Sequence, residues 1–169
     1  MRRALVTFLT LFVLWVIVAQ VNHALASGHV YLFLGGLMIT YAALQLPLRD
    51  GVIAVLLAGL LSDATTPVPF GLHTLLFAGA FAIVANVRDH VPREETVARV
   101  IVALLANLAL FLVFSFALIG RGPAPGQVWP RLILDLLCSQ VVLALVAPWF
   151  FALQGRALVL ARVERDPLT

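Results

Sequence analysis

The chain has 169 residues, of which 63% are hydrophobic and only 11% charged, with a mean hydropathy of +1.08. A water-soluble domain of this size cannot hide that much apolar surface, whereas a bilayer accepts it, so the composition points to one integral membrane domain over residues 1–169. The net charge of +3 comes entirely from arginine, which suits anionic headgroups and offers nothing specific to nucleic acid.

Six apolar stretches follow in chain order, at about 4–21, 29–46, 51–62, 71–87, 97–119 and 132–153. At 1.5 Å per residue most of them reach roughly 26–34 Å as helices, enough for a hydrocarbon core of about 30 Å. The third, over Gly51–Ser62, reaches only about 18 Å and reads as a short helix that ends within the protein or thins the bilayer. The expected fold is therefore all-α, a polytopic bundle of six transmembrane helices with a short third helix.

Arginine placement tests whether the third stretch crosses. With six crossings and a cytoplasmic N-terminus, Arg2, Arg3, Arg49, Arg88, Arg93, Arg99, Arg156, Arg162 and Arg165 face inward, and only Arg121 and Arg131 face outward. Without that crossing the split becomes five against six. The positive-inside rule favours six crossings with both termini cytoplasmic.

The first stretch has a second reading. Met1-Arg-Arg, an apolar run and Ala24-Leu-Ala26-Ser27 share the layout of a signal peptide, but the run is long for one and favours an uncleaved anchor. Between the stretches, Gly122-Pro-Ala-Pro-Gly126 reads as an outward loop, Pro92-Arg-Glu-Glu95 as the start of the fifth helix, and Arg156–Thr169 as an interfacial continuation.

Between the third and fourth stretches lies the most informative segment, with Gly59, Asp63, Pro67, Pro69, Phe70, Gly71 and His73 in close succession. An ionisable side chain at the edge of hydrocarbon is a site hypothesis in its own right. Asp63 has two readings: a solvated residue at the outer end of the third helix, capping the turn that the prolines enforce, or a deeper carboxylate paired with His73 or a partner helix. Gly71 reads as a backbone position closed to larger residues, and Phe70 as a plug at the mouth of the bundle.

Other polar residues read as structural. Arg131 and Asp135 stand four apart and can pair on one helix face. Asn86, Asn107 and Gln140 read as interhelical hydrogen-bonding groups. Ala54/Ala58, Val55/Gly59 and Ala78/Ala82/Asn86 repeat at four-residue spacing, and Gly35-Gly36 adds a further small step, so these helices can approach closely. Phe111, Phe114 and Phe116 read as core or lipid-facing groups. Cys138 lies alone in an apolar run, which excludes a disulfide or zinc framework within the chain. Histidines at 23, 29, 73 and 90 are scattered, and no hydrolase, metalloprotease or phosphate-loop motif is present. Neither a catalytic set, a metal site nor a cofactor is expected.

Taken together, Leu46-Pro47-Leu-Arg49, Gly59-x-x-x-Asp63, Gly71 and the ending Pro148-Trp149-Phe-Phe-x-Leu153 resemble the rod-shape-determining protein MreD family in order and spacing. Gly28-His-Val-Tyr31 differs, since a proline-containing turn is common there in that family. The resemblance implies a non-enzymatic inner-membrane component of the bacterial cell-elongation machinery that supports peptidoglycan synthesis. Its implied partners are an MreC-like single-span protein, other membrane proteins of the elongation complex, and membrane lipid. That family is itself similar to the substrate-binding subunits of energy-coupling-factor vitamin transporters, which supplies the alternative function.

Overall fold

A computed structural model describes residues 2–91, 95–119 and 125–161; side chains are described for all of these except 118–119 and 125–128. Six α-helices account for most of them: α1 (Arg2–Leu25), α2 (Gly35–Gln45), α3 (Leu48–Thr65), α4 (Leu72–Val87), α5 (Thr96–Ile119) and α6 (Pro125–Leu160). Single 3₁₀ turns follow α1 at Ala26–Gly28 and α4 at Arg88–His90. No strand occurs among the described residues.

Three segments are long and apolar enough to cross a membrane: Arg2–Gly28, Thr96–Ala117 and Trp129–Leu160. They form the outside of the bundle, with α1 presenting Leu5, Leu9 and Ile17, and α6 presenting Leu137, Leu145 and Trp149. Pro130 and Pro148 lie inside α6, where each removes one N–H from the helical ladder.

Every residue of α2 from Gly35 to Leu44 is buried. The cause is its composition, apolar all round, which stabilises a helix only when neighbours cover every side. α3, α4, α5 and α6 all pack on it, and α3 and α4 pack on each other as an antiparallel pair. Gly36 makes the closest of these approaches, since a Cβ there would lie 2.4 Å from the Ala103 carbonyl of α5. The small-residue step Gly35-Gly36 therefore does what its composition predicts.

Two element boundaries differ from expectation. The second apolar stretch is not one helix over 29–46. It is non-helical up to Leu34 and helical only over Gly35–Gln45, which makes α2, at 11 residues, the shortest helix. The third is not the short one; α3 has 18 residues because the helix starts behind Pro47, takes in Leu48, Arg49 and Asp50, and continues past Ser62 through Asp63 to Thr65. Hydropathy marks where a helix is apolar, whereas an acidic residue such as Asp50 in the first turn favours helix through the dipole. The sixth helix also runs beyond 132–153, starting at Pro125 within the expected loop and continuing through Arg156 to Leu160. α5 begins at Thr96, one residue after Glu95, whose carbonyl accepts from the Arg99 amide at 3.3 Å. Pro92–Glu94, the Arg121 loop and the tail from Arg162 lie outside the described residues.

Candidate functional site

The α3–α4 joint is built around a buried carboxylate. Asp63, on the last turn of α3, is 4% exposed and turns towards the first turn of α4. Its Oδ1 accepts the His73 amide at 2.8 Å and lies 3.0 Å from His73 Nδ1. Its Oδ2 accepts the Thr74 amide at 3.0 Å and the Thr74 hydroxyl at 2.7 Å. An ionised carboxylate only accepts hydrogen bonds, so Nδ1 is the donor in that pair. The two amides are among the orphan donors that any helix N-terminus leaves, and the positive end of the α4 dipole faces the charge. Asp63 thus caps a helix to which it does not belong. The solvated reading does not hold, since the side chain is buried; capping and the His73 pairing occur together in one buried carboxylate.

The rest of the motif makes that approach possible. Gly59 stands one turn before Asp63 on the same face, and a Cβ there would come within 2.6 Å of Thr74 Cα. No larger residue fits without separating the helices. Gly71 takes φ +93°, a left-handed conformation, with open space around its missing Cβ, so backbone geometry alone calls for glycine. Ser62 donates to the Ala58 carbonyl at 3.0 Å and accepts through its own carbonyl from Thr66. Phe70 is 73% exposed and does not plug the bundle, because the turn through Pro69 carries it to the surface.

A second polar assembly lies at the same end of the molecule, where the chain from His29 to Leu34 runs without helix between α1 and α2. Side chains from α1 and α6 take the place of a helical ladder, and one from α5 holds the first turn of α2 beyond it. Asn22 of α1 both donates to and accepts from the Leu32 backbone, at 2.9 and 2.8 Å. Asp135 of α6 accepts the Tyr31 amide at 2.9 Å, and Ser139, one turn on, accepts the Phe33 amide at 2.9 Å. Asn107 of α5 accepts the Gly36 amide at 3.0 Å. Asp135 therefore has a different partner from the expected one: Arg131 is exposed, and no ion pair between them occurs among the described residues. The backbone amide reaches the carboxylate in the interior, while the arginine stays with solvent or headgroups.

Aromatic side chains connect the two assemblies. The His73 ring stacks obliquely on Phe114 with centroids 4.4 Å apart, and Phe33 meets both Phe114 and Phe111 edge-on at 5.5 and 6.1 Å. Phe77 stands perpendicular to His73 and fills the space beside Gly35. Phe111 and Phe114 are core, while Phe116 faces outward.

Of the residues that sequence singled out, Gly59, Asp63, Gly71 and His73 come together, Asp135 holds the non-helical segment and Asn107 the first turn of α2, and Phe70 and Arg131 stand apart. Asn22 and Ser139 were missed. Asn22 precedes the only positive-φ non-glycine residue among those described, His29 at φ 54°, yet nothing local marks it as a strap for Leu32. Gln140 donates to the Leu104 carbonyl at 3.2 Å, an interhelical bond of the expected kind. Cys138 is half-buried and unpaired. No group of three or more candidate metal ligands occurs among the described residues. In chemical terms, Asp63 and Asp135 are both engaged in fixing backbone, and their work is positional. No protein-family model, curated protein or solved structure matches this chain.

Proposed function

We propose that this chain is a non-enzymatic scaffold of the bacterial inner membrane, an MreD-like component of the cell-elongation machinery that crosses the bilayer six times and binds an MreC-like single-span partner. The observation that carries this reading is the use made of the Gly59-x-x-x-Asp63 and Gly71 step, the heart of the resemblance. Its residues lock two helices at a fixed approach, which serves a protein that presents a shaped surface. A catalyst or carrier would keep such a carboxylate available to substrate.

Segment lengths are compatible with six crossings. The non-helical Val30–Phe33 adds at most about 13 Å to the roughly 16 Å of α2. Non-helical backbone at membrane depth is tolerated where protein buries it and satisfies its amides, as Asn22, Asp135 and Ser139 do here. α3 and α4, at roughly 27 and 24 Å, span with slight local thinning.

The test is affinity purification of the tagged full chain from a rod-shaped host in mild detergent, with mass spectrometry of what accompanies it. An MreC-like single-span protein is expected, and depletion of the chain should turn rods into spheres. Recovery of transporter ATPase and coupling subunits, or of a tightly bound vitamin-sized molecule, would replace the scaffold by the transporter alternative.

A further inference from the structure

At the end of the α3–α4 pair opposite Asp63, the two helices diverge around a cavity of about 450 Å³. Val52, Val55 and Leu56 of α3 form one wall, and Ala78, Ala82 and Ala85 of α4 the other. Phe81 is held at its base against Gly51, where a Cβ would lie 2.8 Å from the ring. Asn86, Arg88 and Asp89 stand at the mouth.

The groove is a wedge. Beyond Val55 and Ala78 it is shut where Gly59 meets the Thr74 backbone. From Ala78 to Arg88 it runs about 15 Å along the helix, half of a hydrocarbon core of about 30 Å. An occupant one leaflet deep is a lipid chain; a partner's transmembrane helix would need the full depth.

The mouth has the matching polarity. Arg88 offers five N–H donors, and two of its contacts are long: the Leu46 carbonyl at 3.5 Å and the Asp89 carboxylate at 3.8 Å from Nε. A cation beside an anion, above an apolar wedge, complements a headgroup that carries both charges. We propose that the α3–α4 groove seats one acyl chain of a zwitterionic aminophospholipid, with the phosphate at Arg88 and the ammonium at Asp89. The proposal needs the chain to lie in a bilayer but is independent of the scaffold reading and its partner.

Native mass spectrometry of the full chain tests it, after delipidation and addition of phosphatidylethanolamine and phosphatidylglycerol with identical acyl chains in equal amounts. The wild type should hold one phosphatidylethanolamine in preference to phosphatidylglycerol. Ala82→Trp fills the groove and should lose that adduct, while Leu75→Trp, at an exposed α4 position outside the groove, should keep it. Arg88→Gln should weaken binding roughly tenfold, the scale of one charge-assisted hydrogen bond, and Asp89→Asn should erase the preference between the two lipids. If Ala82→Trp fails to fold, Ala78→Phe blocks the deeper part and is read in the same way. Equal retention of both lipids by the wild type would overturn the proposal, as would undiminished lipid on a folded groove-filled variant.

Discussion

At the scale of single residues, the informative fact is how many donors converge on one carboxylate. Asp63 accepts from the His73 and Thr74 amides, the His73 ring and the Thr74 hydroxyl, all beside a buried helix end. Removing it leaves several buried donors without partners, each at a cost of about 1–3 kcal/mol. Asparagine keeps one acceptor oxygen for His73 and can donate its amide to the Thr74 hydroxyl, leaving the Thr74 N–H orphaned at about 1–3 kcal/mol. Thermal unfolding in detergent should therefore rank wild type above Asp63→Asn and Asp63→Ala last, with a clear gap at each step. Equal melting temperatures for asparagine and alanine would show that the His73 contact and the bond to the Thr74 hydroxyl contribute nothing, and equal values for wild type and asparagine that the second carboxylate oxygen does not. The importance of Asp63 is legible in the sequence, because a carboxylate flanked by apolar helices must find partners. Its partners are less so: that it caps the following helix depends on the close approach allowed by Gly59, a tertiary contact that spacing alone does not specify.

At the scale of elements, the second apolar stretch shows where sequence reading stops. Over 29–46 its hydropathy is that of a helix, and only Gly35-Gly36 hints at a break. What keeps the first part extended is side chains far along the chain: Asp135 and Ser139 lie 104 and 106 residues from the amides they accept. Intrinsic propensity is a weak prior against such a set of buried hydrogen bonds. The joint between α3 and α4 was more readable, since Pro67, Pro69 and Gly71 leave the backbone few options. The groups on α6 should accordingly act locally. In hydrogen–deuterium exchange, Asp135→Ala and Ser139→Ala should speed exchange at Tyr31 and Phe33 respectively, each losing a buried bond whose absence costs about 1–3 kcal/mol. The amides of His73 and Thr74 should stay protected in both. Loss of protection at both sites in either variant would mean that the aromatic cluster couples the two assemblies into one cooperative unit.

At the scale of the whole molecule, the distribution of polar work is asymmetric. The end bearing Asn22, Asp63 and Asp135 is stitched by side-chain-to-backbone bonds. The opposite end bears Arg2, Arg3, Arg49, Arg88, Arg99 and Arg156 among the described residues, and the α3–α4 groove opens there. That clustering of arginine is the strongest statement about orientation the chain makes, because positive charge is retained on the cytoplasmic side and resists translocation. In the proposed topology the groove then opens towards the cytoplasmic leaflet, the one richer in anionic headgroups. α1, α5 and α6 suffice in length and composition to cross a membrane, but three crossings alone would leave exposed apolar side chains of α3 and α4, such as Leu60, Leu75 and Ile83, without a bilayer around them. Reporter fusions decide between the two arrangements: with six crossings, fusions after Arg93 and after Thr169 report cytoplasm and a fusion near Gly122 reports the outside. An outside signal after Arg93 would mean that one of the first four segments does not cross. Since α3 and α4 are joined by the Asp63 cap as a unit, the unpaired crossing would then have to be sought in the extended segment and α2.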